Sequence, residues 1–273
     1  MRSTWRTATA SRTGISNRPT SLRRTIDGNQ DVWLVELARN VRRRFTVDSA
    51  VEAFPIWSPD GSRLVFQSNR TGYNDLYLKP VTGDAPEGPL LESSDSDNKN
   101  PRDWSPDGRL ILYESLSPKT GFDLWLVPVA GDRRPVPVAQ TPFTEAEGRF
   151  SPDSQWIAYS SDASGRQEIV VKRLSGTGRE TQVSTNGGSD PKWRGDGREI
   201  LYRTPDNRVM AVAVTLPAEG TNVQPGFPVP LFTLPAGSNW DVTPDGQRFL
   251  ATVPTDEATV PPITVVFNWK PGK

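Results

Sequence analysis

Carboxylate side chains are the groups in this sequence whose type and spacing could support chemistry. Two acidic series recur along the chain at regular intervals. The first series is Asp60, Asp107, Asp153, Asp196 and Asp245, and the second is Asp31, Asp75, Asp123 and Glu168. A pair of carboxylates can act as general acid and general base without another catalytic group. These series are therefore the first candidates for a catalytic or cation-binding site.

Two other common catalytic groups are missing, because the 273-residue sequence contains no His and no Cys. Ser-His-Asp triads need imidazole, and His- or Cys-ligated metal sites need imidazole or thiolate. We therefore expect no catalytic residue, no metal site and no bound cofactor in this chain.

The first acidic series belongs to a repeated turn whose fullest form is aromatic-Ser-Pro-Asp-Gly. Its five copies occupy residues 57–61, 104–108, 150–154, 193–197 and 242–246. Pro fixes φ, the Asp side chain bonds to the backbone, and the last residue takes a positive φ. That last residue is Gly61, Gly108, Gly197 and Gly246, with Ser in the third copy. We interpret the turn aspartates as caps rather than as catalytic groups.

The second acidic series opens later strands, at Asp75, Asp123 and Glu168, 15 or 16 residues after the turn aspartate. Asp31 opens a matching strand near the start of the chain. We expect these acids to face the axial channel or a contact between neighbouring sheets. Structural hydrogen bonding is the first interpretation, and cation or ligand binding is the alternative.

The spacing of the turns defines the elements that carry these residues. Successive copies are 43 to 49 residues apart, a period typical of a four-stranded propeller blade. Each turn is followed by a strand in which apolar residues alternate, so that two of them share one face and fill the space between blades. These pairs are Leu64 and Phe66, Ile111 and Tyr113, Ile157 and Tyr159, Ile200 and Tyr202, and Phe249 and Ala251. The sequence predicts an all-β protein, a β-propeller with four-stranded blades.

Five turns and one further strand at 31–35 indicate a six-bladed type with an incomplete first blade. Residues 1–30 contain no Pro-Asp-Gly, and the one further strand expected there is at 20–26. We assign residues 27–273 to a single propeller domain with five full repeats and a partial first blade. Residues 1–26 hold six Arg, six Thr, four Ser and no acid, a composition typical of a disordered leader.

Charge and hydropathy exclude two classes of partner. Residues 1–44 contain ten Arg and three acids, which leaves 22 basic and 29 acidic residues in the rest of the chain. The predicted folded part is therefore acidic, which is unsuited to nucleic acid. No apolar run has the length of a membrane helix or a secretory signal, so we expect no membrane insertion of this chain.

The repeat resembles the WD-like propeller repeat of TolB and its relatives, since the turn motif and the alternating strand are followed by Asp-Leu-aromatic-Leu at 75–78 and 123–126. Residues 28–34 and 262–269 resemble the six-bladed sensor region of certain bacterial serine/threonine kinases. The resemblance implies a periplasmic or extracytoplasmic location and a protein or peptide partner.

Together these features predict a non-catalytic sensor or scaffold module that binds a protein or a ligand. Two alternatives stay open. One is a carboxylate-dependent propeller enzyme acting on a glycan-type substrate, and the other is a truncated remnant of a receptor kinase sensor region.

Overall fold

The computed structural model consists of β-strands arranged in six successive sheets. It describes residues 5–6, 20–26, 29–36, 41–82, 86–92, 97–175, 179–220, 222–252 and 264–266, with side chains from residue 30 to residue 252 of these ranges. No helix occurs in the described residues. None of their segments meets the length and hydropathy of a membrane-spanning helix.

The first three sheets are antiparallel and contain four strands each. The first sheet comprises β1 (Trp5–Arg6), β2 (Thr20–Ile26), β3 (Asn29–Glu36) and β4 (Val41–Arg44). The second comprises β5 (Glu52–Trp57), β6 (Arg63–Ser68), β7 (Asp75–Pro80) and β8 (Gly88–Leu91). The third comprises β9 (Asn98–Trp104), β10 (Leu110–Ser117), β11 (Gly121–Pro128) and β12 (Val136–Ala139).

The remaining sheets repeat this order with small departures. The fourth comprises β13 (Glu145–Phe150), β14 (Trp156–Ser161), β15 (Glu168–Arg173) and β16 (Thr181–Gln182). The fifth comprises β17 (Ser189–Trp193), β18 (Glu199–Arg203), β19 (Arg208–Thr215), β20 (Gln224–Pro225) and β21 (Val229–Thr233), where β20 and β21 both pair with β19. The sixth comprises β22 (Trp240–Val242), β23 (Phe249–Ala251) and β24 (Thr264–Val266). The predicted all-β fold with four-stranded blades is confirmed.

Five apolar clusters join the six sheets in sequence order. Leu64 and Phe66 of β6 face the first sheet and pack with Val32 and Leu34. The residue between them, Val65, faces the third sheet instead. The same alternation recurs in the second strands of the third, fourth and fifth sheets, and the expected pairs of all later sheets face the preceding sheet. The prediction that these pairs fill the space between blades is confirmed.

The first sheet differs from the sequence expectation in its strand content. β2 matches the expected strand at 20–26, but β1 adds a second preceding strand through pairing of Trp5 with Arg24. A two-residue strand is too short to show alternation, so the sequence did not reveal it. β1 is also shorter than the first strands of the next four sheets, which have five to seven residues. Most of the predicted leader lies outside the described residues, and its disorder stays a prediction.

A substitution between sheets tests the packing. Ile157 lies fully buried between the third and fourth sheets. We expect Ile157→Ala to lower the free energy of unfolding by about 3 kcal/mol, because it removes buried methylene groups and leaves a cavity. Val136→Ala, at an exposed position of β12, is the control and should cost under about 0.5 kcal/mol. Urea denaturation measures both, and equal losses would contradict the packing assignment.

Candidate functional site

The turn aspartates are occupied by hydrogen bonds within their own turns. Asp60 Oδ1 accepts from the Ser62 amide at 3.0 Å and from the Ser58 hydroxyl at 2.5 Å. Its four counterparts accept from the amide two residues further on in the same way: Asp107 from Arg109, Asp153 from Gln155, Asp196 from Arg198 and Asp245 from Gln247. The hydroxyl of Ser58 holds the pKa of Asp60 at about 2. These carboxylates close turns at the ends of separate sheets, and two of them, Asp153 and Asp196, line one pocket between the fourth and fifth sheets.

The last residue of each turn has the backbone conformation that the motif requires. Gly61, Gly108, Gly197 and Gly246 have φ between 71° and 78°, and Ser154 has φ of 61°. Glycine adopts this conformation without the steric cost that a side chain adds. The turns are therefore set by local geometry.

The second acidic series is buried and lies on third strands, one position from the outer strand of each sheet. Asp31 forms an ion pair with Arg44 at 2.7 Å. Asp75 accepts from the Thr71 hydroxyl at 2.7 Å and lies 3.5 Å from Lys99 Nζ of the next sheet.

The other two members have local partners as well. Asp123 accepts from the Thr120 hydroxyl at 2.9 Å, and burial raises its pKa. Glu168 accepts from the Ser184 hydroxyl at 2.5 Å and from the Gly187 amide at 3.0 Å. The structure thus separates the four acids and gives each its own contacts, including a contact between sheets at Asp75.

The axial channel is lined by first strands, because β5, β9, β13 and β17 lie next to one another. Three of them carry a bulge at which a residue other than glycine has a positive φ: Phe54, Glu147 and Asp190, at 51°, 60° and 52°. The strand register shifts at the same places. Such a conformation needs support from its surroundings.

For Glu147 and Asp190, carboxylates of neighbouring sheets supply that support. Glu114 of β10 accepts from the Glu147 amide at 2.6 Å, and Glu147 accepts from the Asp190 amide at 2.6 Å. Arg102 forms an ion pair with the buried Glu114. A continuous set of hydrogen bonds therefore connects the third, fourth and fifth sheets along the channel wall.

Basic side chains surround Asp190 in the same wall. Lys192 Nζ lies 2.8 Å from Asp190 Oδ1. Burial raises the pKa of Asp190, but Lys192, Arg149 and Arg203 lower it by more, so the carboxyl stays below its usual value. Burial also raises the pKa of Asp241 and there outweighs Lys192 and Arg149. The wall thus combines several cations with carboxylates in a partly buried setting.

Sequence reasoning missed this channel cluster, although the motif carries a signal for it. The residue directly before the first position of the motif is Ile56, Asp103, Arg149, Lys192 or Asp241. Four of these five residues are charged, although an apolar side chain follows each of them in the sequence. The position belongs to the first strand of each sheet, and the first strands line the channel.

Glu52 is a second candidate that the sequence did not single out. It begins β5, is fully buried, and lies 3.2 Å from Arg70 Nη2. Burial raises its pKa to about 7, because the loss of hydration outweighs the hydrogen bond with Thr46 and the charge of Arg70. Arg70 itself is shared with Glu87 at 2.6 Å and Asp48 at 3.8 Å. Glu52 is thus a carboxyl whose charge changes near neutral pH.

Large apolar side chains are exposed at the end of the sheets opposite the repeated turns. Val47 and Phe143 precede first strands, and Tyr73 and Leu116 lie where second strands give way to third strands. Val47 is 70% exposed, Tyr73 46% and Phe143 44%. We refer to these four residues as the apolar rim.

The described residues contain no group of three or more Asp or Glu side chains that could hold a metal ion.

Comparisons with known proteins agree with this geometry. No family model matches the chain. An uncharacterized protein of Agrobacterium fabrum is 27% identical over 212 residues, which are 70% of this chain and 66% of that protein. The match thus spans just under two thirds of the relative's length.

Solved structures establish the fold. TolB from Acinetobacter baumannii aligns with a TM-score of 0.64 and 16% identity over 81% of this chain and 53% of its own. Oligogalacturonate lyase in complex with manganese aligns with a TM-score of 0.70 and 13% identity over 93% of this chain and 73% of its own. The chain therefore has a β-propeller fold, similar to that of TolB and of the lyase. The likeness to the kinase sensor region stays a prediction.

The raised pKa of Glu52 gives stability a specific pH dependence. Between pH 4.5 and about 7 the folded state holds a proton that the unfolded state has lost, so stability falls as pH rises through this window. Glu52→Gln removes the effect. We expect Glu52→Gln to gain free energy of unfolding over the native protein as the pH rises, and this gain should be roughly 2 kcal/mol larger at pH 8 than at pH 5.

Urea denaturation at the two pH values measures this difference. Glu219→Gln, at an exposed position, is the matched control and should show no such change. If Glu52→Gln shifts stability equally at both pH values, the assignment is wrong.

Proposed function

We propose that this chain is a non-catalytic binding module, a sensor or scaffold propeller that holds a segment of a protein or peptide over the mouth of the channel. The observation that carries the proposal is the apolar rim at the end of the sheets opposite the repeated turns. Apolar and aromatic contacts around a polar centre are the usual composition of a peptide-binding surface.

The rim supports binding because its members share one end of the sheets. Single exposed apolar residues are ordinary on protein surfaces. Here the four rim residues come from the second and third sheets and from the connections that precede the second and fourth sheets. Tyr and Phe are residue types that contribute strongly to interfaces. A segment laid across this end would contact several sheets at once.

The carboxylates support a non-catalytic role because protein groups already engage most of them. The turn aspartates accept from their own turns, and Glu114 and Glu147 accept from backbone amides. A general acid or base needs a free carboxyl beside the substrate. The likeness to TolB structures supports the same proposal at the level of fold.

A carboxylate-dependent propeller enzyme acting on a glycan-type substrate is the second candidate. Two observations favour it: the fold likeness to oligogalacturonate lyase, and Glu52, whose pKa of about 7 suits proton transfer at neutral pH.

Peptide binding tests the proposal. We would screen a bead library of random octapeptides with acetylated and amidated ends, resynthesise enriched sequences with a neutral dye, and measure Kd by fluorescence polarisation. Tyr73→Ser and Phe143→Ser should each weaken binding by about tenfold, because each removes an aromatic contact. Their thermal unfolding should stay close to that of the native sequence, since both side chains are exposed.

Phe227→Ser is the matched control, because Phe227 is 93% exposed but lies outside the rim. It should leave Kd unchanged. The proposal is wrong if no peptide is enriched, or if Phe227→Ser weakens binding as much as the rim variants. Turnover of oligogalacturonate that is lost in Glu52→Gln would favour the enzyme instead.

A further inference from the structure

We infer that Arg149 and Arg203 form a carboxylate-binding site in the channel wall beside Asp190, and that the bound peptide inserts an acidic side chain or its C-terminal carboxylate there. This inference rests on the proposed function and adds the chemical class of the ligand.

Four of the basic residues near the channel fall into two groups by their partners. Arg102 forms an ion pair with Glu114, and Lys192 forms one with Asp190. Arg149 and Arg203 form no salt bridge with any carboxylate in the described part of the chain. Two guanidinium groups thus lack a direct anionic partner.

Arg149 donates only to backbone carbonyls. Its Nη1 bonds to the carbonyl of Arg102 in the preceding sheet and lies 3.4 Å from that of Gly148. All hydrogen bonds that its side chain makes with described residues use Nη1. Nε and Nη2, which can together bind both oxygens of a carboxylate, are left for a ligand.

Arg203 is held in the same manner from the connection that precedes the sixth sheet. Its Nη1 donates to the Ser238 carbonyl at 3.0 Å. Both guanidinium groups are anchored through the backbone, by the third sheet and by this connection respectively, so their positions are fixed before a ligand arrives. A site fixed in advance loses less entropy on binding.

The two groups lie close to the same carboxylate. Arg203 is opposite Ser189, the residue before Asp190, in the pairing of β17 with β18. Arg149 follows Glu147 by two residues, and Glu147 accepts from the Asp190 amide and the Ser160 hydroxyl. Arg149, Arg203 and Lys192 all lower the pKa of Asp190.

Three matched peptide libraries test the inference. All are octapeptides with an acetylated, dye-labelled N-terminal end. The first has a central Glu and an amidated C-terminus, the second a central Gln and an amidated C-terminus, and the third a central Gln and a free C-terminal carboxylate. We expect the first or the third to bind the native protein about tenfold more tightly than the second, and the tighter library identifies the source of the carboxylate.

Variants assign the effect to residues. Arg149→Gln and Arg203→Gln should each abolish the difference between libraries while binding of the Gln-amide library stays unchanged. Arg149→Lys keeps the charge but loses the paired donors and should recover part of the difference, which separates recognition from a folding defect. Arg134→Gln, exposed and paired only with Asp132, is the control and should retain the whole difference.

The outcomes separate this inference from the proposed function. Equal binding of the three libraries would overturn the carboxylate site and leave the binding module intact. Binding of none would overturn both. Binding of oligogalacturonate that depends on Arg149, without peptide binding, would overturn the assignment of the ligand as a peptide.

Discussion

Each inner sheet of this protein must bury both of its faces against neighbouring sheets. The second strand shows how this is achieved, since Leu64 and Phe66 pack against the preceding sheet while Val65 packs against the following one. Apolar burial is the main source of stability in such a fold. A sheet with only one apolar face would leave its other face in water, so the alternation of the second strand determines that the sheets stack around an axis.

Stacking around an axis brings the first strands close together, and it leaves backbone amides and carbonyls at the channel without a neighbouring strand to bond to. Their outer edge pairs with the second strand, while the inner edge has no further strand to pair with. The structure solves this with bulges at Glu147 and Asp190, whose amides donate to Glu114 and Glu147 of the preceding sheets. Buried backbone amides need an acceptor. The charged channel is thus a consequence of the fold before it is a site for any ligand.

The fold could be predicted from the sequence because its determinants are local and repeated. Turn chemistry at residues 57–61 and its copies, and the period-two pattern after each turn, are visible in the sequence alone. The bulges were not predictable in this way. Phe54, Glu147 and Asp190 all lie three residues before the first residue of the motif, but one aromatic ring and two carboxylates give no common residue type that would indicate a positive φ. The pKa of Glu52 depends on burial between sheets, which sequence spacing does not report.

Repetition also explains where function can reside. Positions that form the turns and the inter-sheet contacts are restricted to a few residue types by geometry. The position before the motif is not restricted in this way, and it holds Ile56, Asp103, Arg149, Lys192 and Asp241 in the five copies. Five copies of one structural position can therefore present different charges to the same channel. An asymmetric ligand can be recognised by a nearly symmetric fold for this reason, because the architecture leaves that position free to differ from sheet to sheet.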